Sequence, residues 1–169
     1  MENQITIAER IENGLSGVEQ EGVVKVLAST LADQHVLYLK LRNFHWNLKG
    51  ARFHSLHEMF EEQYEALAEA IDETAERIRM LGGVAPGSMK EMLDLATLTE
   101  SDGEVITGNH ALRELVADHE ATIRNLRAEA EKTEEALGDQ ATADFLIEML
   151  QAHEKFAWML RSSIDDSEQ

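Results

Sequence analysis

The sequence predicts an all-α protein built around four long helices. Three observations carry that expectation. Apolar residues recur at three- and four-residue spacing through four long stretches, and no stretch alternates as a strand would. Alanine, glutamate and leucine dominate the composition. There is one proline in 169 residues, too few for a loop-rich chain.

The elements follow in order. Residues 3–13 are expected to form a short helix, closed by Gly14 and Gly17. A first long helix is predicted from about Val23 to Leu48, with Val24, Leu27, Leu31, Val36, Leu39 and Phe44 at helical spacing. Asn47–Arg52, with Gly50, breaks it. A second runs from about His54 to Leu81 on a stripe of Leu56, Phe60, Leu67, Ile71, Ile78 and Leu81. Gly82–Gly83 cap it, and Pro86 lies just beyond. MKEMLDLATL reads as a short helix inside a long crossover. A third long helix is predicted from about Glu104 to Leu137, stopped by Gly138, and a fourth from about Thr142 to Ile164. A long connection between helices two and three, carrying a short helix, describes a ferritin-like four-helix bundle better than an up-and-down one. With no internal repeat and no low-complexity linker, residues 1–169 read as a single domain, with an N-terminal segment at 1–20 and a short acidic tail at 162–169.

Composition excludes several classes of function. The net charge is −18, and clustered Lys/Arg for phosphate contacts is missing: Arg10 is the only basic residue in the first 24, and the stretch after Arg161 has none. No apolar run approaches the roughly 20 residues that cross a bilayer. MENQITIAER lacks the pattern of a secretory leader, so the cytoplasm is the expected location. Cysteine is absent, which rules out thiolate ligands, thiol nucleophiles and disulfides.

The second helix carries the chemistry. His57 and Glu61 form one pair four residues apart, and Asp72 and Glu76 another. At about 100° per residue all four fall in one sector of about 100°, roughly 110° from the centre of the apolar stripe. His57 and Asp72 are about 22 Å apart along the axis, whereas metal ligands lie about 2 Å from their ion. One straight helix cannot bring the pairs together. Two antiparallel copies can: His57 with Glu76, and Glu61 with Asp72, share a midpoint beside Ala66–Leu67. A two-fold axis there places His57 and Glu61 opposite the partner's second pair, and Ala68 and Ala75 permit close approach. A hairpin around Gly50 would bring His45 to His57. Two imidazoles and three carboxylates suit ferrous iron, manganese or zinc. Taken singly, an acid pair at this spacing is most often a solvated helix face.

The stretch NFHWNLKGARFHSLHEMFEEQYEALAEAIDETAERIRMLGG, Asn43 to Gly83, resembles the Dps family, the DNA-binding proteins from starved cells or mini-ferritins. HEKFAWMLRS, residues 153–162, is similar to that family's fourth helix, and the likeness covers nearly the whole chain. The resemblance implies a hollow shell of twelve subunits with ferroxidase centres at two-fold interfaces. His45, His57 and Glu61 would come from one subunit, Asp72 and Glu76 from its neighbour. The family usually carries aspartate where this chain has Glu61. Such proteins oxidise Fe(II), typically with hydrogen peroxide, and store Fe(III) as mineral within the shell; zinc or manganese can stand in at the centre. By the same resemblance Trp46 donates an electron near the centre, with packing at the hairpin as its alternative. Glu58 and Glu62 would seed mineral. Asp139, Asp144 and Glu148 would line an acidic iron channel. For both groups of acids a solvated face is the alternative. His35, His54, His110, His119 and His153 have no expected role; His54 reads best as a surface histidine, with an additional metal ligand as its alternative.

The leading reading is therefore a ferroxidase and iron-storage shell. The alternative is a nucleoid-binding protective shell, which a charge of −18 per chain disfavours unless divalent ions bridge. No Glu-x-x-His occurs, as a ferritin centre within one subunit would need. HEMFE lacks the second histidine of a zinc-protease motif.

Overall fold

The computed structural model describes residues 5–165. Its elements are α1 (Gly17–Asn47), β1 (Leu48–Lys49), α2 (Phe53–Met80), α3 (Met89–Leu95), β2 (Ile106–Thr107), α4 (Gly108–Glu135) and α5 (Gln140–Ser162). The four long helices and the short helix of the crossover stand where the sequence places them.

Helix α1 starts six residues before the expected point because Ser16 and Glu19 form a capping box. The Ser16 hydroxyl accepts from Glu19 N–H, and Glu19 accepts from Ser16 N–H at 2.6 Å. Gly17 is thus the first residue of a helix rather than the end of one. Apolar residues bury around much of α1, including Val23, Val24, Leu27, Leu31, Leu37 and Phe44, because α2, α3 and α4 all pack against it. Leu39, expected in its stripe, is exposed.

The expected helix over residues 3–13 does not form in its described part, residues 5–13. That segment spends its backbone hydrogen bonds on the end of α2. Ala8 N–H donates to Gly82 O at 2.8 Å and Val84 N–H to Thr6 O at 2.8 Å, and Ile7 bridges Gly83. Gly82 sits at φ +74°, and a Cβ there would meet the Glu9 carbonyl oxygen at 2.1 Å. Glycine is therefore required for both conformation and close approach.

Gly50, at φ +126°, turns the chain between α1 and α2 so that they run antiparallel. Beside that turn, β1 pairs in parallel with β2, Leu48 opposite Ile106, tying the start of α4 to the hairpin. The Asp33 carboxylate holds the crossover by accepting from Thr97 N–H, Leu98 N–H and the Thr97 hydroxyl. Helices α4 and α5 form the second antiparallel pair. The core has two apolar clusters, one around Leu27, Leu31 and Leu146 and one around Phe44, Phe60 and Leu112 near the hairpin turn.

Candidate metal centre

The hairpin converts a twelve-residue spacing into a stacked pair of imidazoles. His45, at the end of α1, and His57, in the second turn of α2, lie with ring centroids 3.5 Å apart and planes 17° from parallel. Their hydrogen bonds are reciprocal: His45 Nδ1 lies 2.8 Å from the His57 carbonyl, and His57 Nδ1 lies 2.8 Å from the His45 carbonyl. A carbonyl oxygen only accepts, so each Nδ1 carries the proton. In the neutral ring this leaves Nε2 with the lone pair, the form a metal ligand requires. Phe53 covers His57 at 4.9 Å, and Tyr64 stands edge-on to His45 at 5.3 Å.

Glu61, one turn beyond His57, completes the group. One nitrogen of each imidazole and one Glu61 oxygen lie within 4.8 Å of one another. The Tyr64 hydroxyl donates to Glu61 Oε1 at 3.0 Å and steadies that carboxylate. Burial, the hydrogen bond to Glu61 and the carboxylate's charge together raise the Tyr64 phenol above its ordinary pKa, so it remains a donor at neutral pH. The Arg42 guanidinium lies over Tyr38, Tyr64 and Trp46, 4.8–5.5 Å from their ring centroids. Trp46 itself is 57% exposed, so within one chain it is a surface side chain beside the centre and not a core residue of the hairpin.

Asp72 and Glu76 are not part of this group. They lie further along α2, about 16 Å or more from Glu61, exposed on its outer side. Asp72 borders a cleft with His35, Ala75, Pro86 and Met92. Within one chain the site thus holds three of the five expected donors. The outer face that carries them, with Glu65, Ala66, Ala68 and Glu69 exposed along it, has no partner among the described residues.

Other expected positions divide clearly. Asp139 is 7% exposed and caps α5, accepting from Thr142 N–H and the Thr142 hydroxyl with Arg77 at 3.6 Å. Asp144, Glu148, Glu58 and Glu62 are exposed. His54 is exposed and lies 3.5 Å from Glu58; His110 is exposed and lies 3.6 Å from Glu114. His119 and His153, for which the sequence suggests no role, are buried against each other.

The ferritin-like domain family matches residues 24–169. A DNA protection during starvation protein of Bacillus anthracis is 39% identical over 85% of this chain and 97% of its own length. The chain belongs to the Dps family. A low temperature-induced protein of Nostoc is 46% identical over 92% of the Dps chain and 87% of its own. Among solved structures, DpsC of Streptomyces coelicolor superposes with a TM-score of 0.89 at 28% identity, covering 94% of this chain and 92% of its own. The Dps protein of Vibrio cholerae, described as a member of a superfamily of ferritin-like diiron-carboxylate proteins, gives 0.84 at 30% identity, covering 93% and 97%. Iron storage and ferroxidase-type protection belong to this family as a whole. No helix among the described residues is long and apolar enough to cross a membrane.

Proposed function

We propose that this protein oxidises ferrous iron, preferentially with hydrogen peroxide, at centres shared between two subunits, and mineralises the ferric product inside a dodecameric shell. The observation that carries the reading is the group of His45, His57 and Glu61, with both imidazoles fixed by reciprocal hydrogen bonds to backbone carbonyls. Neutral nitrogens and a carboxylate suit ferrous iron, and added carboxylates favour the harder ferric charge. In this reading Asp72 and Glu76 of a two-fold partner supply them. The midpoint shared by the two pairs makes one antiparallel contact of α2 create two equal sites. Zinc and manganese fit the same donors as surrogates.

The chemistry balances simply. Two ferrous ions, one peroxide and two protons give two ferric ions and two waters, leaving no hydroxyl radical. The residues' part is to hold the iron, with Nε2 of His45 and His57 and Glu61 on one side. Tyr64 holds the Glu61 oxygen, and Trp46, beside His45, supplies an electron when only one iron is present. The acidic surface gathers ferrous ions toward the shell and repels DNA unless divalent ions bridge the two. The experiment is peroxide-dependent ferrous oxidation by the assembled protein, followed by absorbance. His57→Ala and Glu76→Ala are each expected to lose most of the rate while the shell stays assembled. A normal rate in both would reject the site.

A further inference from the structure

Away from the candidate centre, α4 and α5 bury a second histidine pair that the proposed oxidation does not use. His119 Nδ1 lies 2.8 Å from His153 Nδ1, with ring centroids 5.0 Å apart. His119 is 1% exposed and His153 3%. Two ring nitrogens at this distance share one proton, so one imidazole donates and the other accepts. His119 Nε2 is buried without a partner. The less costly tautomer therefore has His119 donating through Nδ1, because an orphaned lone pair is cheaper to bury than an orphaned N–H.

Burial, and secondarily the neighbouring ring, holds His119 well below the ordinary histidine range; burial takes His153 down to about 4. Both are neutral at pH 7, and their Nδ1 atoms converge on one point. The side chains packed directly on the rings are soft and uncharged. Phe156 packs against both rings. Met149, one turn before His153, has its sulfur 3.2 Å from the Gln34 amide nitrogen. The interior also holds spare acceptors, since Gln34 Oε1 and Gln63 Oε1 are unpartnered. A cleft of about 180 Å³ between α2 and α5 reaches His153, lined also by Leu67, Met149 and Phe156, with Glu73 and Glu148 contributing carboxylates.

We infer that His119 and His153 form a second metal site, which takes one monovalent copper ion between the two Nδ1 atoms. Binding moves the His119 proton from Nδ1 to the unpartnered Nε2, a cost that two copper–nitrogen bonds must exceed; no proton leaves, and the interior gains a single positive charge. A divalent ion would cost about four times as much to bury, since the desolvation penalty scales with the square of the charge. It would also ask for carboxylates bound directly beside the imidazoles, as Glu61 stands at the hairpin, whereas Glu73 and Glu148 line the cleft outside the pair. Two bonds of about 2 Å need the nitrogens to part from 2.8 Å to roughly 3.5–4 Å. That is a small ring movement on the side of the cleft.

The test is anaerobic titration of the iron-free, assembled protein with Cu(I) against a competing chelator such as bicinchoninate. One competitor-resistant copper per chain is expected, with an X-ray absorption spectrum dominated by two imidazole nitrogens, and it is retained in His57→Ala. His119→Phe and His153→Phe should weaken it by more than about 100-fold, beyond the cost of losing a merely supporting group. His119→Gln keeps a hydrogen-bonding side chain and should weaken it as much. Ferrous oxidation should be unchanged in all three. No competitor-resistant copper in the wild type, its loss in His57→Ala, or a spectrum without imidazole nitrogen would overturn the assignment. Those wild-type and His57→Ala results decide the matter even where a core variant fails to assemble.

Discussion

Two histidine pairs in this subunit use the same atoms in opposite ways. At the hairpin, each Nδ1 of His45 and His57 is occupied by a backbone carbonyl, so Nε2 is the ring nitrogen left for a metal, beside Glu61 on a face that has no partner among the described residues. In the bundle interior, the Nδ1 atoms of His119 and His153 face each other, and burial suppresses protonation. The difference shows that the second bond of each ring decides what the first can do. A backbone acceptor makes an outward ligand with a carboxylate at hand. A ring-to-ring contact makes a neutral, enclosed pair.

The contrast can be broken from either end. The largest effect is expected at the hairpin, where His57→Ala should lower the peroxide-dependent oxidation rate by more than about 100-fold, as loss of a direct ligand should exceed loss of its support. In the interior the signature is stability against pH. His153 has a folded pKa of about 4, below the ordinary 6.5. Protons therefore bind the unfolded chain more readily, and stability held above pH 6.5 is lost as pH falls toward 4. This histidine alone should cost about 3 kcal/mol across that window, at about 1.4 kcal/mol per unit. His119 acts in the same direction. The fall in urea-unfolding stability between pH 7 and pH 5 should be smaller in His153→Phe than in the wild type. The smallest effect tests the support of Glu61. Tyr64→Phe removes the bond to Oε1 and should weaken ferrous affinity about tenfold, seen in the half-saturating iron concentration, with little change in the maximal rate.

The helices are legible in the sequence because their apolar spacing and their stops agree. The hairpin pair is legible too, since a turn at Gly50 brings positions 45 and 57 level. The N-terminal segment is not, because its helical propensity loses to backbone pairing with Gly82–Val84, a contact far away in sequence. The cap of α5 leaves its own mark: Gly138 followed by Asp139, with Thr142 three residues on, is an N-terminal signal. The interior pair leaves a fainter trace. On α4, His119 stands in the register of Leu112, Leu115, Thr122 and Leu126, and on α5 His153 stands in that of Leu146, Leu150, Ala157 and Leu160. A histidine in step with an apolar stripe is a core histidine, although only the structure shows that the two meet.

A complementation experiment puts the shared centre at greatest risk. Subunits carrying His57→Ala and subunits carrying Glu76→Ala are each expected to be nearly inactive as pure shells. When the two are co-assembled at random in equal amounts, about one site in four receives an intact His57 from one chain and an intact Glu76 from its two-fold neighbour. The mixed shells should therefore regain about a quarter of the wild-type oxidation rate. Mixed shells no more active than the two pure variants would show that one chain supplies the whole centre, and would contradict a site divided across the two-fold axis.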